Sequence, residues 1–126
     1  MATNRDIEAY FNKLELDYKT VGEGIWLLNL EDQGIDNLVI NHEPPVIVLR
    51  IKLMETPQKN REQFFQRLLE LNGIDLLHGA YALEEDNVVL VDSLQSEHLD
   101  LNELEASIES LAFAATQNYA ELSNYR

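Results

Sequence analysis

The chain has 126 residues, no cysteine, and 23 acidic side chains against 9 basic ones, for a formal charge of −14. That length suits one domain, 1–126, able to bury roughly two-thirds of its unfolded surface. Disulfides, thiolate nucleophiles and zinc–thiolate sites are excluded, and the field repels the phosphate backbone of nucleic acid and anionic membranes alike.

The opening T-N-R-D-I-E is polar and lacks the apolar core of a signal peptide. No apolar run approaches the ~20 residues needed to span a bilayer, so a cytoplasmic location is expected. The charge is uneven. From Gly73 onward Arg126 is the one Lys or Arg, against eleven acids. Solubility is the plain reading of such acidity. A sharper reading is that the acids hold an aggregation-prone or basic partner in solution.

Thr3 and Asp6 form a T-x-x-D variant of the capping box, and Ile7, Tyr10, Phe11 and Leu14 follow at helical spacing. The first helix is predicted over about 4–15. Alternation then takes over in L-D-Y-K-T-V (16–21), is interrupted by G-E-G, and resumes in I-W-L-L-N-L (25–30). These two runs read as one bent strand. After the loop E-D-Q-G-I-D, strands are predicted at 37–42 and 45–54, joined near Glu43-Pro44-Pro45, since proline has no donor for a sheet interior. In the second of these, Ile47, Leu49, Ile51 and Leu53 share the core face. Val46, Val48, Arg50 and Lys52 share a face that is only partly covered.

A second helix begins near Thr56 or Asn60, with Pro57 suited to a first turn. Phe64, Phe65, Leu68, Leu69 and Leu71 form its buried side, and Asn72-Gly73 ends it. Residues 78–91, H-G-A-Y-A-L-E-E-D-N-V-V-L-V, then pose a choice between a metal or acid/base site and a hairpin. Three adjacent acids on a tight turn point in different directions, so the hairpin is preferred: strand 80–83, turn 84–87, and a β-branched return over 88–91. Finally Asp100 is an N-cap with Glu103 at the third helical position, and Leu99 and Leu104 are placed for a hydrophobic staple. The helix from about 101 to 124 is roughly 36 Å long at ~1.5 Å per residue, enough to lie across the sheet. The order α-β-β-β-α-β-β-α defines an α+β class, with helices packed on a single antiparallel sheet.

Catalytic signatures are missing. His42, His78 and His98 are scattered, and His42-Glu43 is not followed by the second histidine of H-E-x-x-H. Three ordinary surface or rim histidines are therefore expected, with no metal site. The E-E-D-N run lacks the pattern of a calcium loop. The serines have no nucleophile elbow, and the glycines make no phosphate-cradling loop, so no cofactor is expected. A small enzyme using a carboxylate pair remains a third reading, and no pocket with two converging acids is expected.

Two runs are apolar on both faces. Either Ile25 and Leu27, or Trp26, Leu28 and Leu30, turn away from the core. Val46 and Val48 flank Arg50 on the second face of the 45–54 strand. Exposed apolar surface of this kind marks interfaces, and an extended peptide can add to a sheet by strand pairing. Trp26, Leu28, Val46, Val48 and Arg50 are the candidate partner-binding residues.

The stretch L-L-E-L-N-G-I-D-L-L-H-G-A-Y-A-L-E-E-D-N-V-V-L-V-D-S-L (68–94), followed by the helix E-L-E-A-S-I-E-S-L, resembles the YbjN-like family of sensory transduction regulators. That family shares its fold with the Tir-type chaperones of type III secretion. Element order matches over about 3–124, and residues match mainly over about 64–111. The resemblance implies a small acidic homodimer that binds other polypeptides without catalysis or cofactor. It supplies no catalytic residues. The expected function is a chaperone-like, protein-binding module holding a client segment on exposed sheet surface. The alternative is a regulatory adaptor that contacts a folded signalling partner.

Overall fold

A computed structural model describes residues 1–74, 76 and 78–126. Asp75, one of the acids counted above, and Leu77, within the stretch that carries the resemblance, lie outside the described residues. Helix α1 (Asn4–Lys13) starts as its sequence dictates. The Asp6 N–H donates to Thr3 Oγ1 at 3.2 Å, and the Thr3 N–H donates back to Asp6 Oδ2 at 2.9 Å. These bonds from the Thr3 backbone, then its side chain, hold the Asp6 carboxyl below its ordinary pKa.

Four strands follow, where the sequence predicts three: β1 (Asp17–Gly22), β2 (Ile25–Leu30), β3 (Ile35–Glu43) and β4 (Val46–Glu55). The predicted bent strand is in fact a hairpin, because Gly24 adopts φ +70. No side chain fits there, since a Cβ would meet the His42 carbonyl oxygen at 2.8 Å. Helix α2 (Arg61–Ile74), strands β5 (Ala80–Glu84) and β6 (Asn87–Gln95), and helix α3 (Leu101–Ser123) complete the chain. All neighbouring strands are antiparallel, in the order β1-β2-β3-β4-β6-β5. Residues 78–91 form the predicted hairpin, with Glu85-Asp86 at the tip and Glu85 at φ +55.

One face of the sheet carries the core. Trp26 pairs with Ile40, Leu28 with Leu38, Leu38 with Ile51, and Ile51 with Leu90, all of them buried. Beneath the helices, Ile7 and Phe11 of α1, Phe64, Leu68 and Leu71 of α2, and Leu104, Ile108 and Leu111 of α3 join this cluster. Helix α3 opens with the predicted reciprocal cap, Glu103 N–H to Asp100 Oδ1 at 2.8 Å and Asp100 N–H to Glu103 Oε1 at 3.3 Å. Arg67 of α2 forks onto the Glu121 carboxylate of α3, tying the two helices together.

Three local expectations are corrected. A bulge between Lys52 and Met54 breaks the alternation of β4, so buried Met54 opposes Val88 and Leu53 is only partly buried. Leu69 of α2 is 72% exposed, because the core accepts only the Phe64–Leu68–Leu71 side. Helix α2 runs on through Asn72 and Gly73 to Ile74. The Asn72 side chain is used elsewhere: its Oδ1 accepts from the Tyr81 N–H at 2.7 Å, and its Nδ2 donates to the Tyr81 carbonyl at 3.3 Å.

Candidate functional site

The three helices pack on one face of the sheet, and the opposite face carries none. Alternation from the core residues puts Ile25 and Leu27 of β2, Val39 of β3, Val46 and Val48 of β4, and Val91 of β6 on that open face. The registers align them into rungs: Leu27 with Val39, Val39 with Arg50, and Arg50 with Val91. Val46 is 39% exposed and the other five are half-buried. The result is an apolar stripe across the middle of the sheet, bordered by Lys19, Lys52, Ser93 and Gln95.

Arg50 occupies the centre of this face. Its Nη2 lies 2.9 Å from Glu84 Oε2, and both side chains are about two-fifths exposed (42% and 45%). An exposed pair of this kind contributes little stability. The Arg50 Nε, by contrast, is buried and has no hydrogen-bond partner among the described residues. Val89 of β6, paired with Lys52 on this same face, is only 2% exposed.

Two of the five predicted contact residues are corrected. Trp26 and Leu28 are 1% and 0% exposed, on the helix-covered face. Of the two alternatives that the sequence left open, Ile25 and Leu27 are the ones that turn outward. The reason is α1. Phe11 packs edge-on against the Trp26 ring at 5.4 Å, and Glu8 accepts the indole hydrogen bond. Val46, Val48 and Arg50 do share the open face.

Nor are all the histidines at the surface. His42 is buried, with Nδ1 2.7 Å from Asn4 Oδ1 and Nε2 2.9 Å from Ser96 Oγ. Desolvation pushes its pKa below the ordinary 6.5. Among the described residues no three acids or histidines are placed to hold a metal ion, and no helix is long and apolar enough to cross a membrane.

One feature runs against expectation. A groove of about 440 Å³ opens where the end of α1, the start of β1, the 3-10 turn after β2 and the middle of α3 meet. Six carboxylates line it: Glu15, Asp17, Glu31, Asp32, Glu105 and Glu109. Sequence reasoning missed it because these acids come from three distant segments. All are exposed except half-buried Glu105. None has a hydrogen-bonding or ion-pairing side-chain partner among the described residues. With five of the six carboxylates exposed, the rim presents mostly solvated negative charge.

The fold is that of type III secretion chaperones and of YbjN: one antiparallel sheet backed by three helices. The match to the CesT_Tir_1 family model extends over residues 1–126, and the chain belongs to that family. No curated protein matches the sequence. Among solved structures, it is similar to YbjN from E. coli, with 11% identity, 94% of this chain and 92% of that one covered, and a TM-score of 0.71. It is also similar to a chain of the heterodimeric ExoU–SpcU complex from the type III secretion system of Pseudomonas aeruginosa (14% identity, 94% and 96% covered, TM-score 0.62). A third similar structure is a chain of the HopA1–SchA chaperone–effector complex (12% identity, 94% and 88% covered, TM-score 0.61).

Proposed function

We propose that this chain is a non-catalytic, chaperone-like module that holds an extended client segment against the open face of its sheet, and that it works as a homodimer. The observation that carries the reading is the helix-free apolar stripe of Ile25, Leu27, Val39, Val46, Val48 and Val91 in a chain of charge −14. Contiguous apolar surface with a polar border is an interaction surface. Fold relatives seen in chaperone–effector and ExoU–SpcU complexes support a protein as the ligand.

The mechanism is passive. Apolar side chains of the client cover the stripe and are removed from water, at about 25 cal/mol per Å² of apolar area. Surrounding carboxylates keep the loaded complex in solution. Arg50 is the adjustable element. A client carbonyl or carboxylate that draws it from Glu84 gives its buried Nε a partner.

A photoreactive amino acid at Val48 tests this in cells, with Lys59, in the loop before α2, as the control position. Adducts from Val48 alone, mapping to unfolded or exported segments, are expected. Adducts to a kinase or response regulator would favour a regulatory adaptor instead. Equal labelling from both positions would remove the open face from consideration. For the homodimer, light scattering on a sizing column should give twice the 14.5 kDa chain mass. A clean monomer at micromolar concentration would count against it.

A further inference from the structure

We infer that the acid-rimmed groove between α1 and α3 is a second binding site, selective for a polypeptide segment that alternates apolar with lysine or arginine side chains. The inference rests on the protein-binding reading above, but it concerns a different surface. The floor is apolar: Leu14 and Leu16 flank the α1–β1 junction, Leu30 ends β2, and Ile108 and Ala112 come from α3. Leu30, Ile108 and Ala112 are at most 7% exposed, so the floor is set in the core and does not need to be assembled.

The rim is anionic from three directions, and among the described residues the lining contains no lysine, arginine or histidine. Glu105 and Glu109 stand four residues apart on α3, where like charges repel and weaken the helix. Among the described residues no lysine, arginine or histidine pairs with them to offset that repulsion. A cation from outside does.

Charge and shape together narrow the occupant. A metal ion is disfavoured because, among the described residues, no three of these carboxylates are placed to hold one. Nucleic acid has the wrong sign. A simple polycation satisfies the rim and leaves the floor wet. An amphipathic basic segment satisfies both, with a leucine-sized side chain on the Leu30–Ile108 floor and ammonium or guanidinium groups at the rim.

A synthetic peptide of alternating leucine and lysine, titrated into the full chain and followed by fluorescence anisotropy and NMR shift mapping, tests the assignment. Saturable binding is expected, with shifts centred on Leu14, Leu30 and Ala112. Glu105→Gln with Glu109→Gln, both off the core, should weaken it about five-fold, as expected for two exposed ion pairs. Lys59→Ala, outside the groove lining, should leave it unchanged. Three results would overturn the site: no binding, equal binding of spermine, or binding lost in Val48→Glu and kept in the double glutamine variant. Crosslinking from Val48 reads the open face independently, so the groove can fail while the client-holding reading stands.

Discussion

The indole Nε1 of Trp26 donates to Glu8 Oε2 at 2.9 Å, across the seam between β2 and α1. This single bond shows why the one tryptophan is not a contact for partners: α1 lies over it and satisfies its donor. Glu8→Ala should cost about 1 kcal/mol by leaving a mostly buried donor unpaired, measured by urea denaturation. Trp26 emission should resist quenching by iodide and stay unchanged when a ligand is bound. Strong quenching in the native protein would contradict the packing.

Adjacent residues of β4 should differ sharply. Ile47 is 0% exposed and Val46 is 39% exposed. Ile47→Ala is expected to cost about 2–5 kcal/mol through lost burial and a residual cavity. Val46→Ala should stay within about 0.5 kcal/mol. Similar costs at both positions would mean that the second face is also sealed.

Stability should respond to pH through His42. Burial lowers its folded-state pKa below 6.5, so the unfolded chain takes up a proton first as pH falls. The His42 contribution is therefore complete above about pH 6.5 and declines as pH drops toward the folded-state value. Urea midpoints measured between about pH 7.5 and pH 5.5 should fall more steeply in the native chain than in His42→Gln. Equal slopes would place the titration elsewhere.

Asn72→Ala removes two bonds from the Tyr81 backbone at the outer edge of β5. A loss of about 1–2 kcal/mol is expected, along with faster exchange of the Tyr81 amide with solvent. Unchanged exchange would show that the side chain does not guard that edge.

Much of the fold was legible because local patterns settled it. Thr3-Asp6 and Asp100-Glu103 mark helix starts through bonds that span only three residues. The hairpin over 78–91 follows from turn chemistry. The facing of I-W-L-L was not legible, since both parities are apolar, and only α1 packing on Trp26 decides between them. Likewise His42 reads as a rim residue until Asn4, 38 residues before it, and Ser96, 54 residues after it, close on its ring. The bulge at Leu53 and the groove also depend on long-range registers that one sequence does not display. The outward facing of Val46, Val48 and Arg50 followed from the charged alternation of β4, whereas Trp26 and Leu28 had no polar neighbour to orient them.

Asn72 gives the sheet one stopped end. The Tyr81 backbone on β5 is already occupied by a side-chain amide, and among the described residues no strand lies beyond β1. Strand-by-strand growth into a fibre draws on the margins at both sides of each copy, and at the Tyr81 position one of them is already taken. A neighbouring strand that docked there would first have to displace the Asn72 amide.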